Sequence, residues 1–226
     1  MPAQGAGILM RTTRRSVADG DAGDLGALEG AADGFRLVAL NRLLVRPLGA
    51  LPFVYHGAIG PMSDEDLREA VRQALEQLVP ALALRGLASL DFIADEGRAW
   101  LLEINPRPSA TMLLHGAAWE GGLLQAHVRA VAGELPAAPA RHASGLRGSL
   151  TVYARADCQV SPALADTLAR ATDCHDLPVA HARFRAGDPV CNVSASADHP
   201  EALLAALERR AAEVRQGLHP SEELAA

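Results

Sequence analysis

Two apolar segments in the middle of this chain are joined by three residues typical of a turn. Leu87–Ala94 and Arg98–Asn105 flank residues 95–97 (Asp-Glu-Gly), and Pro106 follows the second segment at once. A three-residue hairpin loop with a left-handed third residue suits glycine at that position. Proline cannot donate to a sheet ladder, so Pro106 ends the second strand. The pattern therefore predicts a β-hairpin over residues 87–105.

The loop length sets the expected register of this hairpin. A three-residue loop pairs Ala94 with Arg98 and places Asp91 opposite Leu101, so all odd-numbered residues of both strands share one face. The even-numbered face is wholly apolar and is predicted to be core. It comprises Leu90, Phe92, Ala94, Trp100, Leu102 and Ile104.

The odd-numbered face carries Asp91, Glu103 and Asn105. In this register Asp91 and Glu103 are diagonal neighbours, about 7–8 Å apart. Two carboxylates so close repel each other unless a cation lies between them, and oxygen ligands beside a neutral amide suit Mg²⁺ or Mn²⁺ better than Zn²⁺. A solvated sheet face is the alternative interpretation, because polar residues often alternate outward in antiparallel sheets.

The residues that follow the hairpin favour the metal site over the solvated face. Arg107 stands two positions after Asn105, between Pro106 and Pro108. A guanidinium group is well shaped for bidentate binding of phosphate or carboxylate. We therefore expect Arg107 to contact an anion next to the metal.

The run Ser89–Ile93, a turn and then Leu101–Ser109 resembles the metal-binding hairpin of the ATP-grasp superfamily, which includes biotin carboxylase and tyramine–glutamate ligase. The resemblance implies that Asp91, Glu103 and Asn105 bind Mg²⁺ or Mn²⁺ against ATP. It also implies that Arg107 and Asn105 contact the nucleotide and that Arg107 acts in catalysis. Segments 53–61 and 184–195 resemble a subgroup of predicted ATP-dependent carboligases, so the likeness covers roughly residues 35–217.

His56 is a further candidate catalytic residue, because it precedes Gly57 at the end of a strand-like segment. Facing the nucleotide cleft, it would orient the acyl acceptor or the acyl phosphate. The alternative is a histidine that caps a strand end, since histidine serves many structural roles.

The resemblance and the order of elements predict an α+β fold. An ATP-grasp-like, largely antiparallel sheet with helices on one face is followed by a small C-terminal α/β module. Residues 1–34, rich in glycine, are predicted to be an irregular lead-in, residues 35–134 a partial ATP-grasp subdomain, and residues 145–218 the C-terminal module. The N-terminal part of the complete fold is expected to be missing.

Periodicity and capping residues predict the individual elements. Strands are expected over 35–41, extending to 43–45, over 52–61 running into a glycine-rich turn, and over 148–154. Helices are expected from Ser63 as N-cap, over 117–132 and over 200–217, with a linker at 135–143. The first helix should bury Leu67, Val71, Leu75, Leu78 and Leu82, and Pro80 should kink or end it.

Composition excludes several classes of function. A net charge of −6, scattered arginines and 4% aromatic residues do not favour nucleic-acid binding. No segment reaches the roughly 18 apolar residues of a membrane helix. Three cysteines without a Cys-x-x-Cys pair suggest reduced thiols and a cytoplasmic location.

The expected function is ATP- and Mg²⁺-dependent joining of a small-molecule carboxylate to an amine or thiol through an acyl phosphate. All 21 basic residues are arginine, whereas the complete enzymes of the superfamily clamp ATP phosphates with lysines. The chain is thus expected to act as a fragment, with a partner chain or as a homo-oligomer. The alternative is a noncatalytic subunit or relic that serves as a binding or assembly module.

Overall fold

The computed structural model describes residues 24–25, 28–31, 34–95, 98–135, 137 and 145–220. These form two compact units. The first contains the described residues up to Leu44 and those from Ala58 to 137. The second contains Val45–Gly57 and residues 145–220. The segment 45–57, which lies inside the predicted subdomain 35–134, thus groups with the C-terminal residues.

The elements up to residue 135 alternate short strands, one long hairpin and two helices. They are β1 (Asp24–Leu25), β2 (Leu28–Ala31), β3 (Gly34–Leu37), β4 (Leu40–Leu48), β5 (Leu51–Met62), α1 (Glu65–Ala81), β6 (Ser89–Asp95), β7 (Arg98–Asn105) and α2 (Gly122–Val131). Two 3₁₀ segments, Ala110–Leu114 and Gly116–Ala118, lie between β7 and α2. The pairs β1–β4, β2–β3 and β6–β7 are antiparallel.

Three predicted elements differ from these. The described part of the lead-in contains β1 and β2 instead of irregular chain, and its other residues lie outside the described ranges. The strand expected over 35–41 is divided at residues 38–39. The helix expected over 117–132 begins only at Gly122, after the second 3₁₀ segment. The linker 135–143 lies mostly outside the described residues.

Helix α1 begins one residue later than predicted and buries a slightly different face. Its N-cap is Asp64, not Ser63, and the Asp64 carboxylate accepts a hydrogen bond from Leu67 N at 3.0 Å. The buried residues are Leu67, Val71, Leu75 and Val79. The prediction for Leu82 is wrong, because the helix ends at Ala81, one residue after Pro80, and leaves Leu82 52% exposed.

The core of the first unit lies between α1, β6 and α2. Phe92 and Leu75 are wholly buried there, and Leu123 of α2 is nearly so. Helices and strands usually pack because each buries its apolar face against the other, and these elements do so here. The expected core positions on β6 (Leu90, Phe92 and Ala94) are confirmed.

The second unit is an α/β arrangement built on a long antiparallel pair. Its elements are β8 (Leu146–Tyr153), β9 (Cys158–Gln159), α3 (Pro162–Arg170), β10 (Cys174–His175), β11 (Arg183–Phe184), β12 (Pro189–Ala197), α4 (Pro200–Gln216) and β13 (His219–Pro220). Strand β12 lies between β8 and β10, and β5 borders β8 on its other side. Helix α4 packs against β8 and β12. It begins at Pro200, as predicted, and His199 is the N-cap residue.

The prediction of a glycine-rich turn at the end of 52–61 is wrong, because strand β5 continues through these residues to Met62. Gly57 has φ 145°, and a Cβ there would lie 2.0 Å from Ser149 O and 2.9 Å from Leu150 Cα. The glycine is therefore required by the close approach of β8, not by a turn.

None of the helices among the described residues is both long and apolar enough to cross a membrane.

Candidate metal and nucleotide site

The hairpin β6–β7 places Asp91 directly opposite Glu103, and Ser89 opposite Asn105. Beyond this point the pairing steps from Glu103 to Leu101, which lies opposite Phe92, and Leu102 is the extra residue of a β-bulge. Bulges bend the strand and re-aim side chains next to functional sites. The bulge here immediately adjoins the two acidic residues.

The bulge corrects the predicted register. Asp91 and Glu103 are direct rather than diagonal neighbours, so their Cβ atoms are expected about 4.5–5.5 Å apart. Near the turn Asp95 pairs with Arg98, whereas the predicted register paired Ala94 with Arg98. The loop residues 96–97 themselves lie outside the described residues.

The bulge also overturns the prediction that odd- and even-numbered residues keep separate faces. Trp100 lies opposite Ile93 and so shares the face of Asp91 instead of joining the core. Trp100 is 57% exposed and Leu102 is 56% exposed, so the core prediction is wrong for both. One extra residue in a strand reverses the alternation, so side chains before and after the bulge no longer share faces as a regular strand would have them.

The acidic pair differs in burial from one strand to the other. Asp91 is only 8% exposed, whereas Glu103 is exposed. Asn105 is half-buried, and its Nδ2 donates to Glu103 Oε1 at 2.8 Å, so its own Oδ1 is the oxygen left to act as an acceptor. Ser89 is wholly buried, and its Oγ has no hydrogen-bond partner among the described residues.

Arg107 follows the acidic pair on a tight bend. Its backbone N donates to Asn105 O at 2.8 Å across Pro106. The guanidinium is exposed, and its Nη1 lies 3.5 Å from Pro108 O. Within the described part of the chain Arg107 forms no ion pair with a carboxylate, so its charge is available to an anion.

The donor set fits one kind of metal site. The described residues contain no group of three or more His, Cys, Asp or Glu that could hold an ion by themselves. Two carboxylates and an amide oxygen suit Mg²⁺, which usually keeps several waters and binds through one or two carboxylates plus substrate phosphates. The residues therefore fit an ion shared with a nucleotide, and not a closed protein cage.

His56 belongs to the second unit, whereas the other predicted site residues belong to the first. It lies inside β5, so the alternative of a strand-end cap is wrong. Its ring contacts that of Tyr153, with centroids 4.9 Å apart at 59°, and its Nε2 is buried without a hydrogen-bond partner among the described residues. Burial lowers the pKa of His56, and the positive charges of Arg46 and Arg215 lower that pKa further. Its catalytic role stays a prediction.

One buried polar pair of the first unit has no local signal in the sequence. His115 Nε2 lies 2.7 Å from Asn41 Oδ1, and both side chains are buried in the first unit. The two residues are 74 positions apart. Only long-range contact between β4 and the 3₁₀ segments reveals this pair.

Known proteins resemble this chain in sequence profile and in fold. Residues 28–111 match the profile of the ATP-grasp domain. The fold resembles phosphoribosylamine–glycine ligase from Thermotoga maritima (TM-score 0.61, 15% identity, covering 88% of this chain and 52% of that one). It also resembles an ADP complex of N5-carboxyaminoimidazole ribonucleotide synthetase (TM-score 0.57, 17% identity, covering 82% and 48%). A third likeness is to a single-chain, multi-domain long-chain acyl-CoA carboxylase (TM-score 0.54, 15% identity, covering 96% and 23%).

The profile match and the fold together define the class: this is an α+β chain with the fold of ATP-grasp ligases. Residues 28–111 match the ATP-grasp domain model, in agreement with the resemblance drawn from the β6–β7 hairpin. The chain spans about half the length of the ligase and the synthetase, and less of the carboxylase.

Proposed function

We propose that this chain supplies the metal-binding half of an ATP-dependent ligase that joins a carboxylate to an amine or thiol. One observation carries the proposal. Asp91 and Glu103 stand directly opposite each other on one face of an antiparallel pair, with Asn105 beside them and Arg107 on the bend that follows. The ATP-grasp profile spans all four residues.

In this proposal Asp91, Glu103 and Asn105 hold Mg²⁺ or Mn²⁺. When bound, the ion neutralises phosphate charge and orients the phosphate groups of ATP. Asp91 is the buried anchor of the set, because a carboxylate shielded from water interacts strongly with a cation. Asn105 steadies Glu103 through its 2.8 Å hydrogen bond while keeping its own Oδ1 for the ion.

Arg107 is proposed to bind the anionic reactant. It is exposed and without a carboxylate partner among the described residues, and the Asn105 O–Arg107 N bond fixes its backbone. A guanidinium placed in this way can hold a phosphate or a substrate carboxylate by two parallel hydrogen bonds. Positioning and charge stabilisation of this kind are what phosphoryl transfer mainly requires.

The proposed chemistry has two steps. A carboxylate oxygen attacks the γ-phosphorus of ATP, and ADP leaves as an acyl phosphate forms. The amine or thiol then attacks the acyl carbon, inorganic phosphate leaves, and the attacking group loses its proton. Two observations on similar folds support nucleotide binding, since one synthetase structure is an ADP complex and another is complexed with ATP.

Calorimetric titration with Mg-ATP tests the proposal. Wild-type protein should bind with one site per chain, and Asp91→Asn or Glu103→Gln should weaken binding about tenfold or more. Asp95→Asn, at the exposed end of the same strand, is the matched control and should bind like the wild type. Equal affinities for wild type, Asp91→Asn and Glu103→Gln would rule the site out.

A second candidate function is a noncatalytic binding or assembly module. The chain contains no lysine, so no lysine of its own can clamp ATP phosphates. Turnover of ATP with mixtures of carboxylates and amines separates the candidates. Turnover by the chain alone or with a co-encoded partner, abolished by Asp91→Asn, supports the ligase. Mg-ATP binding without turnover in either case supports the module.

A further inference from the structure

The second unit contains an open cavity of about 680 Å³. None of the residues that line it belongs to the candidate metal site. Its walls come from the hairpin tip between β4 and β5, the end of β8, the turn before β12 and one face of α4. The side chains that decide its chemistry are Arg46, His56, Tyr153, Arg155, Glu208 and Arg215.

Positive charge in this cavity exceeds the carboxylates that balance it. Arg46 donates to Glu208 Oε1, and Arg215 Nη2 lies 3.9 Å from Glu208 Oε2, so two guanidinium groups share one carboxylate. The second acidic residue of the wall is Asp188, whose Oδ2 accepts from Arg185 N at 2.7 Å and closes its own turn. Among the residues that line the cavity, Glu208 is therefore the one carboxylate that pairs with the arginines.

Arg155 adds a third guanidinium at the mouth of the cavity. It is exposed and has no ion-pair partner among the described residues. Burial lowers the pKa of Arg215, and the positive charge of Arg155 lowers that pKa further, while Glu208 raises it. Like charges crowd here, and an added anion would relieve the crowding.

The rest of the wall is apolar or aromatic. Leu48 and Leu150 line the cavity together with the ring pair of His56 and Tyr153. Tyr153 Oη donates to Tyr55 O at 2.7 Å, so its hydroxyl is already occupied. Burial and the positive charge of Arg46 lower the pKa of His56, which favours the neutral imidazole. This wall suits the carbon body of a ligand and not a second charge.

We propose that this cavity binds a small organic acid, with its carboxylate or phosphate group between Arg155 and Arg215 and its carbon body against Leu48 and Leu150. The guanidinium group of arginine can form two parallel hydrogen bonds with either a carboxylate or a phosphate. The inference does not depend on the ligase proposal, because all the residues involved lie in the second unit and none is a predicted metal ligand.

Titration with three probes that share one aromatic ring tests the site. Phenyl phosphate and benzoate carry the two candidate anions on one ring, and benzyl alcohol is the neutral counterpart. Binding is followed by calorimetry on the full chain at low, constant ionic strength, because salt screens such pairs. The variants are Arg155→Gln and Arg215→Gln, and the control is Arg209→Gln, an exposed arginine of α4 outside the cavity.

We expect saturable binding of phenyl phosphate, benzoate or both, and none of benzyl alcohol. Arg155→Gln and Arg215→Gln should each weaken binding by about tenfold, whereas Arg209→Gln should leave it unchanged. Asp91→Asn should also leave it unchanged, whatever its effect on Mg-ATP. Absence of saturable binding by both anions, equal binding of benzyl alcohol, or an equal loss in Arg209→Gln would overturn the proposal. Arg155 is exposed, so its variant remains informative if Arg215→Gln fails to fold.

Discussion

His115 donates a hydrogen bond from Nε2 to the side-chain oxygen of Asn41 across 2.7 Å, with the two residues 6% and 2% exposed. A carbonyl oxygen only accepts, so the proton must be on Nε2. The bond ties the chain that follows the Arg107 bend to β4.

Breaking that bond should be costly, because it is a polar contact between two buried side chains. Asn41→Ala is expected to lower the free energy of unfolding by about 1–3 kcal/mol. Urea denaturation measures the change. A double-mutant cycle with His115→Ala should show coupling between the two substitutions. Strictly additive losses would contradict the role given to this pair.

Gly57→Ala should destabilise the second unit. The new Cβ would lie 2.0 Å from Ser149 O in β8, and the residue would have to keep φ 145°. Backbone atoms cannot give way as a flexible side chain can, so we expect a loss of about 2–3 kcal/mol or more in the free energy of unfolding. Thermal and urea unfolding check this. Gly34→Ala, with no atom within 4 Å of the new Cβ, is the control and should change stability by less than about 0.5 kcal/mol.

Stability should fall as the pH drops below about 6.5, in part through His127. Its Nδ1 accepts from Leu87 N at 2.8 Å, which requires that nitrogen to be unprotonated, and burial lowers the pKa of His127. Between that lowered pKa and the unfolded value of about 6.5, the unfolded chain binds more protons. The free energy of unfolding therefore decreases with falling pH across this window.

The variant His127→Gln separates this contribution from other titrations. Denaturation at pH 7 and pH 5 should give a smaller pH-dependent loss for His127→Gln than for the wild type. The exposed His219→Gln is the matched control and should keep the wild-type dependence. Identical dependence in wild type and His127→Gln would show that His127 does not titrate in this window.

The three cysteines should be unreactive in the folded protein. Cys158, Cys174 and Cys191 are buried, and burial raises the pKa of each thiol, that of Cys191 to about 12. The thiolate is the nucleophile, so little of it exists at pH 8. Ellman's reagent should release three equivalents from urea-unfolded chain, and far more slowly from native protein. Rapid, stoichiometric reaction of the native thiols would contradict the described burial.

The hairpin could be predicted from its sequence because alternation, turn residues and the following prolines are all local signals. The register could not. Asp-Glu-Gly permits either a three-residue loop from Ala94 to Arg98 or a tighter loop closed by Asp95 and Arg98, and the structure has the second pairing. The bulge at Leu102 then restores Asp91 to the face of Glu103. The Asp95–Arg98 pairing and the bulge together keep Asp91 and Glu103 on one face, but they place Trp100 outside the core.

Other differences arise from contacts between distant residues. The glycine at position 57 indicated a turn, but its real cause is the backbone of β8, more than ninety residues later in the chain. The partner of His115 is likewise far away, in β4. Local spacing carries no information on such contacts, whereas the α1 face and the start of α4 depend on local spacing and were predicted closely.

Titration of Mn²⁺ followed by electron paramagnetic resonance tests whether Asp91 and Glu103 hold one ion together. Measured with ADP present and the ADP-only titration subtracted, wild-type protein should take up one ion per chain. Asp91→Asn and Glu103→Gln should each weaken uptake about tenfold or more, and the double variant should lose little beyond either single one. Asp95→Asn should match the wild type. Uptake in Asp91→Asn equal to that of wild type, or losses that add in full in the double variant, would contradict a shared ion.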